Sequence, residues 1–362
     1  MSNNTTAAVG NELDTAELFY VACLVLILAF GTVGNILIIA AVVICKSLRT
    51  KCNIFIVNLA IADFCVATIC GIGYIIGCLT KGQFYVEHRT VCNLLGAVVV
   101  VSCVCSLWNI MAIALNRYFF ICRRRQYYQY FTWCNTVLIA ISIWFLAILV
   151  DFANVFGWGG HSLHEKHYGC TYDQTSNYGS LIFQAIIGFT IPTVGIIGAY
   201  SGIYLQVRSS TRELMNVADS ERRDSKKLPR NRPKDCEILK TVLFIFIVFL
   251  MCWMPFMSLV IFDPDMKCSK YIYMYFIVLA DLNSCINGVI YGVMNKRFRI
   301  AYCYILTCGR SNTKQVKLKV FSTTTAYSVK ATSYNVGNGI SKKLRDALIE
   351  QRPSVTDIRL KA

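Results

Sequence analysis

The sequence predicts an all-α membrane protein, a bundle of seven transmembrane helices followed by a short amphipathic helix. Of its 362 residues, 56% are apolar and 15% are charged, whereas soluble domains carry about 25% charged residues. The apolar residues lie in seven runs, each long enough to cross ~30 Å of hydrocarbon as a helix. Helices are expected because lipid offers no partner for backbone polar groups, and the runs are too long and too evenly apolar for barrel strands.

The seven runs, numbered here as spans one to seven, divide the chain into a membrane domain and its flanking segments. They are Leu18–Cys45, Ile54–Leu79, Val91–Cys122, Cys134–Gly157, Tyr178–Leu205, Cys236–Phe262 and Tyr271–Met294. The predicted organisation is an extracellular N-terminal tail at 1–17, a seven-transmembrane domain at 18–305, a polar third cytoplasmic loop at 206–235 and a cytoplasmic C-terminal tail at 306–362. The basic amphipathic stretch Lys296–Tyr302 predicts the short helix after span seven.

The basic residues predict how the bundle is oriented. The net charge of +16 comes from dense bases that follow spans one, three, five and seven, such as Arg123–Arg125, while the opposite loops carry only scattered bases, such as Lys81 and Lys270. The positive-inside rule therefore places the N-terminus outside and the C-terminus in the cytosol. Because the bases lie next to the membrane, lipids are an expected partner and nucleic acid is not.

Cysteines and sequons indicate covalent links. Asn3 and Asn4 each begin an N-x-Thr sequon, which predicts glycosylation at one of them on the outer side; the alternative is that both sequons are unused. Cys92 and Cys170 are both predicted outside, where oxidation is favoured, and a disulfide between them would pin the loop after span four over the bundle; the alternative is two unrelated thiols. The pairing of two further outer cysteines stays open, namely Cys78 and Cys268. Beside the amphipathic stretch lie Cys303 and Cys308, two thiols that suit S-acylation; the alternative is that both are unmodified.

Polar side chains inside the spans are costly in lipid, so each is a candidate site residue. They are Asn35, Asp63, Ser106, Asn283, Asn287 and Tyr291. The last three recur every four residues and therefore lie along one helical face. If that stripe meets Asp63, the group can hold a sodium ion; the alternative is a protonated Asp63 in a structural hydrogen-bond network.

Short motifs recur at matching depths in successive spans. They are Gly34-Asn35, Asn58–Asp63, Asn116-Arg117-Tyr118, Trp144, Pro192, Cys252-Trp253-Met254-Pro255 and Asn287–Tyr291. In this order they resemble class A (rhodopsin-like) G-protein-coupled receptors over nearly all of residues 18–305. Within that class the sequence most resembles melatonin receptors, in Asn53–Val57, Ala114–Cys122, Tyr168–Gln174 and Asn283–Gly292. Asn116 before Arg117, and the lack of proline after Asn287, are typical of that branch.

The resemblance implies a plasma-membrane receptor for an extracellular small-molecule ligand that signals through heterotrimeric G proteins of the inhibitory class. It also implies a receptor kinase and arrestin as partners. The tail cluster Ser322–Thr325, with Ser328, is the expected phosphorylation site, and a solvated linker is the alternative. Neither enzymatic activity nor a catalytic metal is expected, and the sodium ion is the one cofactor predicted.

The ligand pocket of the family maps onto this chain in part. Tyr172 stands where melatonin receptors stack an aromatic ring on the indole, Gln174 where an amide meets the amide side chain, and Asn154 where an amide meets the methoxy oxygen. Trp253 is expected one turn below the ligand.

Three positions depart from patterns known in the class. Gly188 replaces a histidine of the melatonin receptors, and Asp281 replaces a tyrosine. Because melatonin is neutral, the added acid argues against melatonin itself and leaves the ligand open. Val99 stands where amine receptors of the class carry an aspartate, so a monoamine bound in the usual way is not expected. Asp281 is predicted to be the polar anchor of the ligand pocket. Its carboxyl is either protonated and hydrogen-bonded to a tyrosine or serine, or paired with a cation that arrives with the ligand; a water-filled resting pocket is the third alternative.

Signalling is predicted to involve the cytoplasmic ends of spans three and six. The motif Asn116-Arg117-Tyr118 ends span three. Arg117 can pair there with Asp235 or Glu237, and such an exposed pair contributes only ~0–1 kcal/mol. Pro255 removes a helical hydrogen bond and makes span six the expected pivot.

Some of the same residues also suit other ligands or other classes of protein. Within the receptor class, the alternative ligand is a peptide or a lipid. A transporter or proton-conducting protein could relay protons through Asp63, Asp151 and Asp281, but the sequence shows no paired halves. Three histidines at three-residue spacing, from His161 to His167, suit either zinc or a solvated loop, and the solvated loop is favoured.

Overall fold

The structure is a computed structural model that describes residues 12–173, 177–220, 233–263 and 265–307. Its helices are α1 (Thr15–Ile44), α2 (Lys51–Cys65), α3 (Gly71–Leu79), α4 (Gln83–Glu87), α5 (Arg89–Cys122), α6 (Arg124–Tyr130), α7 (Trp133–Val155), α8 (Tyr178–Gln184), α9 (Ile191–Ser220), α10 (Pro233–Phe262), α11 (Lys270–Met294) and α12 (Lys296–Leu306). Strands β1 (His161–His164) and β2 (Gly169–Tyr172) form an antiparallel hairpin, and a 3₁₀ turn covers Lys46–Leu48. Several predicted residues lie outside the described ones, namely Asn3, Asn4, Gln174, Cys308, Ser322–Thr325, Ser328 and the side chain of Asp235.

Seven described helical segments are long and apolar enough to cross a membrane, which confirms the predicted count. Span two consists of α2 and α3, joined by the π-helical turn Val66–Cys70, and span five consists of α8 and α9, joined by the π-helical turn Ala185–Thr190. The short helix predicted after span seven is α12. Asn295 caps it, because its side chain accepts a hydrogen bond from the backbone N–H of Arg297.

Helical boundaries differ from the predicted segments at two places. Helix α1 begins at Thr15, inside the predicted tail, because Asp14 and Glu17 form a reciprocal capping box there. Helix α9 continues to Ser220 and α10 begins at Pro233, so helix occupies much of the predicted loop 206–235. The difference arises because hydropathy locates the part of a helix that crosses lipid, whereas helical backbone hydrogen bonds can continue into water.

A single amide joins spans two, three and four. The Asn58 side chain donates to Oδ1 of Asn109 at 2.9 Å and to the carbonyl oxygen of Ala140 at 3.1 Å, and it accepts from Nε1 of Trp144 at 2.7 Å. Buried polar groups are stable only when they are hydrogen-bonded, so these contacts fix the relative positions of the three helices.

Spans one and seven approach closely at Gly34 and Gly288. A Cβ added to Gly288 would lie 2.9 Å from the Cα of Gly34, which leaves no room for a side chain. Near this contact, Nδ2 of Asn35 donates to the carbonyl oxygen of Ser284 at 2.9 Å. Small residues and an interhelical hydrogen bond are the usual means by which helices associate in lipid.

Candidate ligand-binding site

A cavity of about 410 Å³ opens within the bundle at the end that carries the β1–β2 hairpin, here called the hairpin end. Spans two, three, five, six and seven and strand β2 all contribute to its wall. The wall is largely apolar, and its buried aromatic side chains include Tyr74, Phe249 and Phe256. A concave, mostly apolar cavity of this size with few polar groups is typical of a small-molecule site.

Asp281 supplies the one carboxylate among the described residues that line the cavity. Asp281 is only 4% exposed, and its Oδ2 atom has no hydrogen-bond partner among the described residues. The tyrosine or serine partner that the sequence suggested for a protonated acid is therefore not found at this oxygen. A buried polar atom without a partner is costly, so a group from outside the chain would stabilise it.

The predicted ligand contacts divide into two sets. Tyr172 and Trp253 line the cavity, as do the departures Val99 and Gly188. Asn154 is not among the lining residues.

Asn154 instead joins span four to span five. Its Nδ2 donates to Oδ1 of Asp151 at 3.0 Å, and its Oδ1 accepts from Nε2 of Gln184 at 2.8 Å and from Oγ of Ser180 at 3.2 Å. These partners satisfy the buried amide within the protein. Sequence reasoning missed this role, because Ser180 and Gln184 lie in span five and only the tertiary structure brings them to Asn154.

The β1–β2 hairpin covers the cavity at the hairpin end. A disulfide joins Cys170 in β2 to Cys92 in span three, as predicted, and Tyr172 at the end of β2 reaches the cavity wall. His161 at the start of β1 contacts Oδ1 of Asp151 through Nε2 at 2.8 Å. Each strand of the hairpin is thus anchored to a span, β1 through His161 and β2 through Cys170, and these two links hold the hairpin over the cavity.

His164 and His167 are buried, so the prediction of a solvated histidine loop is wrong. Their rings stack with centroids 4.3 Å apart, and His167 also meets the edge of Tyr74 at 5.7 Å. Burial lowers the pKa of His164 to about 4 and that of His167 well below its usual value. The zinc alternative also finds no support, since no group of three potential ligands is placed to hold a metal among the described residues.

Glu17, assigned to the tail by sequence, is a fully buried acid at the hairpin end. It forms ion pairs with Lys81 and Lys270, and Oε1 accepts from the Tyr168 hydroxyl at 3.0 Å. Lys270 also pairs with Asp14 at 2.8 Å, and this hydrogen bond lowers the pKa of Asp14 to about 2. The cluster ties span one to span two, span seven and the hairpin. The sequence signal for this buried acid was the position of Glu17 next to an apolar run. Helix capping would explain an acid at that position equally well.

The polar layer predicted around Asp63 forms in part. Asp63 accepts from Oγ of Ser106 at 2.7 Å through Oδ1 and from Nδ2 of Asn287 at 2.6 Å through Oδ2. Asn283 and Tyr291 are buried nearby in span seven, with Asn283 Oδ1 and the Tyr291 hydroxyl lacking partners among the described residues. Asn35 bonds to the backbone of spans one and seven instead, as described above.

The predicted coupling motif lies at the opposite end of the bundle. Asn116 is buried, and Arg117 and Tyr118 are half-buried in the last two turns of α5. The Tyr118 ring packs against Gly202 of span five, where an added Cβ would lie 2.6 Å from it. Cys303, the predicted acylation site in α12, is exposed.

Comparison with known proteins identifies the family. Residues 34–291 match the model of the 7 transmembrane receptor (rhodopsin family). Melatonin receptor type 1B-B of Danio rerio is 31% identical over 297 residues, covering 79% of this chain and 82% of the relative. Human melatonin receptor type 1B is 29% identical over 291 residues, covering 79% of this chain and 77% of the relative.

A solved structure supports the same architecture. Squid rhodopsin superposes with a TM-score of 0.73 over 90% of this chain and 97% of its own, at 22% identity, which shows the shared fold. The chain therefore belongs to the rhodopsin family of seven-transmembrane receptors: it is a G-protein-coupled receptor for an extracellular ligand, related to the melatonin receptors, and not an enzyme.

Proposed function

We propose that this chain is a plasma-membrane receptor whose small-molecule ligand enters from the extracellular side and is anchored in the cavity by Asp281. The observation that carries the proposal is the buried Asp281 carboxylate, which lines the cavity and has an oxygen without a partner among the described residues. In this orientation the hairpin end faces outward, and the densely basic connections face the cytosol, as the positive-inside rule requires.

The route from ligand to G protein runs through span six. Trp253 lines the cavity, and Pro255 lies two residues further along the same helix. Since proline removes one backbone hydrogen bond, the helix bends most readily there. A ligand that binds the open bundle better than the closed one shifts the population and moves the opposite end of span six away from Arg117. The crevice that opens would accept a G protein of the inhibitory class.

The ligand differs from melatonin in this proposal. Relatives named melatonin receptors support the lineage, but Gly188 leaves a wall position without a side chain and Asp281 adds an acid. A neutral ligand would leave an ionised Asp281 unpaired. The ligand is therefore expected to carry a group that satisfies this carboxylate.

Further partners belong to the same proposal. A sodium ion would bind at Asp63 beside Ser106 and Asn287. A receptor kinase and arrestin would act on the Ser322–Thr325 cluster, and a lipid anchor on Cys303 would hold α12 at the membrane.

The test is a ligand screen in cells that express the receptor at a matched surface level, with cyclic AMP as the readout. An active compound should lower cyclic AMP through the wild type and fail through Arg117→Ala while still binding. Asp281→Asn should weaken its potency at least tenfold, about 1.4 kcal/mol. Equal potency in wild type and Asp281→Asn would contradict the assignment of Asp281, and an unaltered response in Arg117→Ala would contradict the coupling route.

A further inference from the structure

The charge balance of the cavity is uneven. Asp281 is buried in its wall, and none of the described residues that line the cavity is a lysine, an arginine or a histidine. An ionised carboxylate in such surroundings needs a cation or several hydrogen-bond donors close by. Its Oδ2 atom has no donor among the described residues. The protein thus supplies one half of an ion pair at this position.

Two lysines at the hairpin end are committed to other acids. Lys81 pairs with Glu17, and Lys270 pairs with both Glu17 and Asp14, at 3.1 Å and 2.8 Å. Glu17 is fully buried and also accepts a hydrogen bond from the Tyr168 hydroxyl. Moving either lysine toward Asp281 would take from the buried Glu17 one of its two cationic partners. The missing cation is therefore not drawn from this cluster.

The remainder of the cavity wall suits the body of an organic cation. Tyr74, Phe249, Trp253 and Phe256 present aromatic rings to it, and the faces of such rings attract cations. The other lining residues are mostly aliphatic, which favours a ligand with a sizeable apolar part. A cavity volume of about 410 Å³ fits a small molecule and is too small to enclose a folded domain.

We propose that the cavity binds a protonated amine whose charge pairs with Asp281 in span seven and whose apolar body lies against the aromatic wall. The inference rests on the proposed function in taking this cavity as the ligand site. It places the countercharge in span seven and not in span three, where the side chain of Val99 lines the same cavity without a polar atom. A protonated Asp281 that donates a hydrogen bond to a neutral ligand is the competing state, and the two states differ in the charge of the cavity.

The first experiment measures that charge without any ligand. Cys103 is a free thiol that lines the cavity, and Cys134 is an exposed free thiol in span four that serves as the internal reference. The purified receptor is treated at pH 7.4 with the cationic 2-aminoethyl methanethiosulfonate or its uncharged methyl counterpart, and peptide mapping gives the rate at each cysteine.

The quantity compared is the rate of the cationic reagent divided by the rate of the uncharged reagent at each cysteine. An ionised Asp281 should make this ratio about tenfold higher at Cys103 than at Cys134. The ratio should fall to the reference in Asp281→Asn and persist in Asp281→Glu. A ratio at Cys103 equal to that at Cys134 in the wild type would overturn the proposal, and this comparison does not depend on whether a variant folds.

The second experiment uses matched ligands and no G protein. A panel of arylalkylamines and their N-acetyl counterparts is tested for stabilisation of the purified receptor against heat; the pair 5-methoxytryptamine and melatonin is included because it shares one indole. At least one amine should raise the melting temperature of the wild type and of Asp281→Glu but not of Asp281→Asn. Stabilisation by neutral members alone, or by no amine, would overturn the proposal. Because binding is measured without signalling, a failure of coupling would contradict the proposed function and leave this result standing.

Discussion

The imidazole rings of His164 and His167 stack at a centroid distance of 4.3 Å inside the turn of the hairpin, shielded from solvent. His167 is fully buried, and its backbone carbonyl oxygen accepts a hydrogen bond from the Tyr20 hydroxyl at 3.2 Å. Its ring also meets the edge of Phe256, which lines the ligand cavity, at 6.2 Å. The hairpin turn therefore enters the mouth of the bundle, and its packing requires neutral histidines.

Acid should destabilise the receptor through these histidines. The folded state holds the pKa of His164 at about 4, below the usual 6.5, so between these pH values the unfolded chain binds more protons than the folded one. Stability should therefore fall as the pH drops from 6.5 to 4, by on the order of 3 kcal/mol for His164. Melting curves of the purified receptor would show this.

A matched pair of variants isolates the effect. His164→Phe keeps a buried ring and should make the loss of stability between pH 6.5 and 4 smaller, while the buried His167 still contributes to it. The exposed His88→Phe should leave the wild-type profile unchanged. A wild-type melting temperature that stays constant over this range would contradict the prediction.

Removing the charge of Glu17 should loosen span one at the hairpin end. Glu17→Gln leaves Lys81 and Lys270 without their shared partner, although both lysines are about one-third exposed and can regain water. The expected loss is therefore about 1–2 kcal/mol, below that of a fully buried pair. The exposed Glu12→Gln is the control, and equal melting temperatures for both variants would argue against a stabilising role of the cluster.

The disulfide should contribute to stability and to ligand affinity. Cys92 and Cys170 are 78 residues apart, and closing such a loop contributes at most about 4.5 kcal/mol. The double variant Cys92→Ala/Cys170→Ala should melt at a lower temperature and lose affinity, because the hairpin carries Tyr172 to the cavity. The buried free thiol variant Cys78→Ala controls for the loss of a buried sulfur atom. An unchanged melting temperature in the double variant would count against the prediction.

Sodium should stabilise the receptor through Asp63. In the wild type, replacing potassium chloride by sodium chloride at equal ionic strength should raise the melting temperature, because a cation beside Asp63 offsets the cost of burying its charge. Asp63→Asn should abolish the difference between the salts. Ser106→Ala removes a single donor to Asp63 and should reduce the difference without abolishing it. The same response to both salts in the wild type would show that Asp63 holds no sodium ion.

The sequence by itself determined the architecture. Seven apolar runs predicted seven spans, the basic stretch after span seven predicted α12, and Cys92 and Cys170 predicted the disulfide. These features could be predicted because each depends on local composition: a helix in lipid pairs its own backbone groups, and the cost of burying polar groups confines them to interior positions.

Only the tertiary structure decided which side chains meet. Asn154 was predicted to contact the ligand but pairs with Ser180 and Gln184, while Glu17 and His167 were predicted in exposed segments and are fully buried. Hydropathy could not reveal these contacts, because a polar residue is buried or exposed according to the partners that distant segments bring to it. The burial of Asp281 without a partner at Oδ2 is likewise a property of the assembled bundle, since five spans and the hairpin together form the cavity that it faces.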